Sequence, residues 1–137
     1  MKIFLMLDPP RTTAQMQKVA VINNKPRFYK PANVRKARDS LIKHLRPFKP
    51  STALDGPIEL NVTWLFPKGR HKAGEWKVTK PDTDNLQKML KDCMTEVGFW
   101  KDDAQVVKET CEKRWSDEPV GISIEVNILP KIMEDKT

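Results

Sequence analysis

A chain of 137 residues, 39% hydrophobic and 31% charged with a net charge of +7, has room for one hydrophobic core and little for a second. No run approaches the roughly 18 apolar residues needed to cross a bilayer, and the opening MKIFLML gives way too soon to Asp8-Pro9-Pro10 to read as a secretory signal. Two cysteines, Cys93 and Cys111, cannot build a disulfide framework, so secreted, membrane and fibrous classes are set aside and a cytoplasmic setting with reduced thiols is expected.

Ile3 to Leu7 reads as a buried strand ended by Pro9-Pro10, and 11–18 as an exposed, basic segment. Val19–Ile22 and Arg27-Phe28-Tyr29 flank the turn-forming Asn23-Asn24-Lys25-Pro26, the signature of a hairpin. After Pro31 a helix is predicted, with Val34, Ala37, Leu41 and Leu45 on one face and an end near Pro47. Ile58, Leu60, Val62, Trp64 and Phe66 alternate with Glu59, Asn61 and Thr63, which marks a half-buried strand. Residues 67–80 (PKGRHKAGEWKVTK) break that pattern at Pro67, Gly69 and Gly74 and form a long basic loop. A second helix over about 83–97 gathers Leu86, Met89, Leu90, Cys93, Met94 and Val97 into one apolar stripe. A weaker strand follows around 104–115. Then Val120, Ile122, Ile124, Val126 and Ile128 alternate with small or polar residues as a last strand, and the tail 130–137 is expected to fray. Strands on both sides of two helices predict a single α+β (α/β) domain, a mixed sheet of four to six strands with two main helices packed on it.

Charge is unevenly divided. Residues 1–80 hold 17 Lys/Arg against 5 Asp/Glu, whereas residues 81–137 hold 8 against 13. That asymmetry suggests a polyanionic partner and a separate acidic cluster; a generically soluble basic surface is the plain alternative.

The acidic candidates lie in Lys80-Pro81-Asp82-Thr83-Asp84-Asn85-Leu86-Gln87-Lys88, then Asp92, then Trp100-Lys101-Asp102-Asp103. Helical spacing places Asp84, Lys88 and Lys91 opposite the apolar stripe, with Asp82 at the N-cap. Carboxylates grouped in this way suit Mg²⁺ or Mn²⁺, hard cations that keep waters for substrate phosphates. At a phosphodiester such a metal activates a water and stabilises the leaving oxygen, and Lys88 is placed to contact the scissile phosphate. The plain reading of the same residues is helix capping by Asp82, a dipole effect of Asp84, and an ordinary Asp84–Lys88 pair four residues apart.

The run Pro81 to Lys88, with Asp92 and the segment Gly98-Phe99-Trp100-Lys101-Asp102-Asp103-Ala104-Gln105-Val106-Val107, resembles the RusA family of Holliday junction resolvases. The family pattern D-x-D-N-L-x-K, a helical spacer, then G-x-W-x-D-D-x-Q-V is filled at every position. The resemblance is specific over 81–107 and looser elsewhere, where Pro9-Pro10 and the basic first helix also look like the family. It implies a homodimeric, Mg²⁺-dependent endonuclease that cuts four-way DNA junctions symmetrically. The family's metal-binding aspartates fall on Asp82, Asp84 and Asp103, and its essential lysine on Lys88. Asp102 is left as either a further ligand or a turn residue, and the role of the 67–80 loop stays open.

DNA affinity would come from backbone phosphates. The candidate contacts are Arg11, Lys18, Arg27, Lys30, Arg35, Lys36 and Arg38 in the first half, and Lys68, Arg70, Lys72, Lys77 and Lys80 in the loop. His44, His71, Cys93 and Cys111 lack metal-ligand or nucleophile spacing, which argues against zinc and Cys/His catalysis. Trp64 and Phe66 are assigned to the core, while Trp76 is a candidate for stacking on DNA. Two other functions are carried forward: a non-catalytic basic nucleic-acid-binding module in which the aspartates only cap a helix, and a metal-dependent phosphatase on small substrates, which the basic half disfavours.

Overall fold

In chain order the computed structural model runs β1 (Lys2–Leu5), β2 (Lys18–Ile22), β3 (Lys25–Tyr29), α1 (Ala32–Leu45), β4 (Ile58–Pro67), α2 (Thr83–Val97), β5 (Val106–Ser116) and β6 (Gly121–Ile128). Short 3-10 turns occupy Arg46–Phe48 and Asp103–Gln105. Residues 1–11, 18–22, 24–29 and 32–132 are described, of which 18–22 and 26–29 by their backbone only. Four strands form one mixed sheet in the order β1-β6-β4-β5, and β2 and β3 pair as a separate antiparallel hairpin. The architecture is therefore α+β, as the pattern of elements predicts.

β4 lies at the centre, antiparallel to β6 and parallel to β5. Its alternation decides the layering: Ile58, Leu60, Val62, Trp64 and Phe66 are all almost fully buried, because period-two side chains share one sheet face. Beneath that face lie Val34, Leu41 and Leu45 of α1 and Leu86, Met89, Leu90, Cys93 and Met94 of α2. Each such aliphatic side chain removed from water contributes about 1.5–3 kcal/mol. The other face carries a polar lattice in which Thr110 donates to Asn61 at 2.8 Å, Asn127 to Glu59 at 3.1 Å, and Lys108 pairs with Glu59 at 3.2 Å.

Parallel pairing of β4 and β5 needs a crossover, and α2 supplies it. The helix stops at Gly98, whose φ of 105° lies in the left-handed region; its N–H and that of Phe99 both reach the Met94 carbonyl, a glycine C-cap. Gly121 serves a different need. A Cβ there would collide with the Leu5 carbonyl oxygen and the Phe4 ring, so only glycine lets β1 lie close against the start of β6.

The 67–80 segment is docked rather than free. Lys68 N–H donates to Ser116, Gly74 N–H to Trp115, Trp115 N–H to Glu75, and Lys77 N–H to Lys113. These bonds cover the C-terminal half of β5, which would otherwise be an open edge. Among the described residues no helix is long and apolar enough to cross a membrane, and Cys93 and Cys111 are not joined in a disulfide.

Candidate active site

A cleft of about 430 Å³ opens between α2 and β5, lined by Thr83, Asp84, Gln87, Lys88 and Lys91 from the helix, Asp103 from the turn, and Glu109 and Cys111 from β5. The apolar stripe of α2 is anchored in the core, so its opposite, polar face must look into this space. Three of the four residues singled out for chemistry, Asp84, Lys88 and Asp103, share its wall.

Asp82 is placed differently. It stands at the N-cap of α2 with extended backbone, outside the cleft lining, and pairs with Lys80 at 4.0 Å. Its side chain makes no capping hydrogen bond, so capping does not account for the residue. The pair foreseen between Asp84 and Lys88 is also absent; Lys88 leans to Asp92 instead, at 3.8 Å. Asp84 and Asp103 enter no side-chain hydrogen bond or ion pair among the described residues. Asp84 is exposed and Asp103 half-buried, so both carboxylates are open to a ligand that enters the cleft from outside the chain.

The acidic pair at 102–103 divides its labour. Asp102 Oδ1 accepts from the Ala104 N–H at 2.9 Å and caps the 3-10 turn. Gln105 completes the box: its Oε1 accepts from the Lys101 and Asp102 N–H groups, while its Nε2 donates to the carbonyls of Leu54 and Gly56, each at 3.1 Å. Leu54 N–H meanwhile donates to Phe99 at 2.8 Å, and the buried Trp100 indole donates to Thr95 at 2.7 Å. The loop that carries Asp103 is thus clamped on both sides, and Asp102 serves as the cap of its turn.

Sequence reasoning missed the middle of the cleft. Gln87 is buried, accepts from the Trp64 indole at 3.0 Å and donates to Glu109 at 3.1 Å; Lys91 donates to the other Glu109 oxygen at 2.9 Å. The only signal was a polar residue, Gln87, on the edge of an apolar stripe; Glu109 gave none, since its facing depends on β5 pairing. Burial pushes the Cys111 thiol up to about 11, with Glu109 adding in the same direction. This cysteine is a neutral wall of the cleft.

Two carboxylates with oxygen donors free suit Mg²⁺, which takes one or two protein carboxylates and fills its octahedron with waters and phosphate oxygens. No three His, Cys, Asp or Glu side chains among the described residues are already assembled as a metal cage. The donor set fits a metal that substrate helps to hold.

The basic candidates separate into groups. Arg11, Lys68, Arg70, Lys77 and Lys80 line a second pocket beside the docked loop. Lys72 lies outside that lining, exposed on the same loop. Arg35 and Lys36 are exposed on α1, whereas Arg38 pairs with Glu96 and so ties α1 to α2. Lys30 and the side chains of Lys18 and Arg27 lie outside the described residues, as does the tail from 133.

The Endodeoxyribonuclease RusA family matches residues 9–127 of the chain. The chain is 32% identical over 123 residues to the crossover junction endodeoxyribonuclease RusA of Lactococcus phage r1t, covering 88% of this chain and 92% of that relative. It is 31% identical over 85 residues to the crossover junction endodeoxyribonuclease RusA of Escherichia coli K12, which covers 62% of this chain and 63% of the relative. The same figures hold for the protein of that name from Enterobacteria phage 82.

Proposed function

Because the chain belongs to the RusA family of endodeoxyribonucleases, we propose that it is a structure-selective nuclease that hydrolyses phosphodiesters at crossover (Holliday) junctions during DNA recombination and repair. The observation that carries this reading is the pair Asp84 and Asp103, facing one cleft beside Lys88 with no side-chain partner among the described residues.

Asp84 and Asp103 would hold Mg²⁺ or Mn²⁺, with Asp82 joining from the rim once DNA is seated. When bound, the metal supplies a water of lowered pKa and withdraws charge from the phosphoryl oxygens. Lys88, exposed and only loosely paired with Asp92, can turn to a non-bridging phosphate oxygen, where an ammonium gains most as charge develops. Lys91 is committed to Glu109. It keeps that carboxylate neutralised, so a third negative charge does not repel the substrate. Gln87 holds Glu109 from the other side and fixes the cleft wall.

A homodimer would present two such clefts to a junction of matching twofold symmetry, so that paired nicks follow from symmetry. We place the protein in the cytoplasm, with its DNA. The test is incubation with labelled four-way junction, linear duplex and single strand, in Mg²⁺ and in EDTA. Asp84→Asn should lower junction cleavage by about 10²-fold or more, since several kcal/mol of charge stabilisation are lost, and keep junction binding. Parallel loss of binding and cleavage would refute the assignment.

A further inference from the structure

The docked loop builds a second concave site, of about 450 Å³, to which Arg11, Lys68, Arg70, His71, Lys77 and Lys80 contribute nitrogen and Phe66 and Trp115 ring carbon. No Asp or Glu lines it. Glu75, the loop's single acid, is turned to His71 at 3.8 Å and to the Lys72 N–H at 3.0 Å. Among the described residues Arg11, Lys68, Arg70 and Lys77 make no ion pair, and Lys80 has only the distant Asp82.

Like charges gathered in one concave site repel one another, and an anion seated among them offsets that repulsion. Lys77 shows the cost most clearly. Its side chain is 8% exposed, its ammonium lies 4.5 Å over the Trp115 ring and 5.0 Å over Phe66, and it donates to Thr79 at 2.6 Å. Burial, then the charges of Lys113 and Arg11, hold its pKa below the ordinary lysine value. The His71 ring stacks on Trp115 at 4.1 Å, nearly parallel. Backbone bonds from both ends of the loop to β5 fix the loop's backbone before any ligand arrives, so that part of the ordering entropy is not lost on binding.

The pocket is also mechanically joined to the cleft. The Lys113 ammonium donates to the carbonyls of Thr79 and Pro81, both at 2.7 Å, and Pro81 directly precedes the Asp82 N-cap of α2. We propose that this pocket seats a phosphate of the DNA backbone other than the scissile one, and thereby sets the register in which a duplex arm meets Asp84. The proposal rests on the nuclease reading.

The test is fluorescence anisotropy of a labelled four-way junction in EDTA across a salt series, with K68Q/R70Q, at a half-buried and an exposed position, and with K77M. Each variant should bind at least about tenfold more weakly, and K68Q/R70Q should flatten the log–log salt dependence by about one phosphate. In Mg²⁺ the loss should appear in KM rather than kcat. Affinity within twofold of the wild type with an unchanged salt slope for K68Q/R70Q would overturn the proposal, as would a loss confined to kcat. Inorganic phosphate is the control ligand: if it raises the melting temperature of the wild type alone while junction affinity is the same in all variants, the pocket serves free phosphate and the DNA assignment falls. Binding is read without cleavage, so a wild type that binds junctions but never cuts them would sink the nuclease reading and leave the pocket's contribution to binding measured.

Discussion

Gln105→Ala tests whether the clamp on the Asp103 loop is structural, catalytic or both. One side chain makes four hydrogen bonds there, two accepted from Lys101 and Asp102 and two donated to Leu54 and Gly56. The two accepted bonds are exposed, and water can replace them at little cost. The two donated bonds are partly buried, and their loss leaves two carbonyls short of a donor, each worth about 0.5–1.5 kcal/mol or somewhat more. The total is about 2–3 kcal/mol, which for a domain of this size lowers the melting temperature by about 8–12 °C. Calorimetry measures that term. Below the new transition the second effect can be read separately: Asp103 lies two residues before Gln105 in the same 3-10 turn, and misplacement of a catalytic group by about 1 Å costs on the order of 10²-fold. Cleavage of a four-way junction at 20 °C should therefore fall at least about tenfold, with more Mg²⁺ needed to reach half-maximal rate. A melting temperature within 2 °C of the wild type would refute the clamp. A lowered one with unchanged cleavage would show that the clamp does not position Asp103.

Asp102→Asn keeps an oxygen for the Ala104 N–H and should cleave near the wild-type rate, whereas Asp103→Asn should lose about 10²-fold or more; equal losses in a junction cleavage assay would erase the division of roles. Gln87→Leu strands the buried Trp64 indole N–H and removes one donor from Glu109, so chemical denaturation should register a loss of about 1–3 kcal/mol. Cys111 should resist iodoacetamide in the native state up to about pH 10, since its thiol titrates near 11 rather than at the ordinary 9.0. The folded form holds this proton more tightly than the unfolded one, so the contribution to stability is complete below pH 9 and fades as pH rises toward 11; rapid native labelling at pH 8 would contradict the burial. Gly98→Ala forces a side chain into a left-handed C-cap at φ 105° and should cost about 1–2 kcal/mol in thermal unfolding.

What could be read in advance follows the range of the forces involved. The stripe on α2 and the alternation of β4 are local periodicities, and the observed spans Thr83–Val97 and Ile58–Pro67 match them closely because burial of those residues dominates local energetics. The first strand is shorter than expected, ending at Leu5 rather than Leu7, since its pairing runs out at Leu5 opposite Ile122, one residue from where β6 begins. The docking of 67–80 on β5 could not be read at all. It depends on backbone bonds from Lys68, Gly74 and Lys77 to residues more than thirty positions away, and backbone donors carry no residue signature.

The candidate site divides in the same way. Asp84 and Lys88 were legible because helical spacing alone puts them on one face. Asp103 required its family pattern, and the structure adds the physical reason for the neighbouring letters in that pattern: Asp102 caps, Gln105 clamps and Trp100 anchors, while Asp103 has no side-chain partner among the described residues. Glu109 was hidden because a residue on β5 acquires its facing only when a parallel partner strand and a crossover helix are both in place. It is the least forecast group in the cleft and the most heavily bonded of its carboxylates. A carboxylate already held by Lys91 and Gln87 has little capacity left for a cation, whereas Asp84 and Asp103 have all of theirs. On that ground the number of hydrogen bonds a cleft carboxylate already makes, rather than its mere presence in the cleft, ranks these acids as ligands.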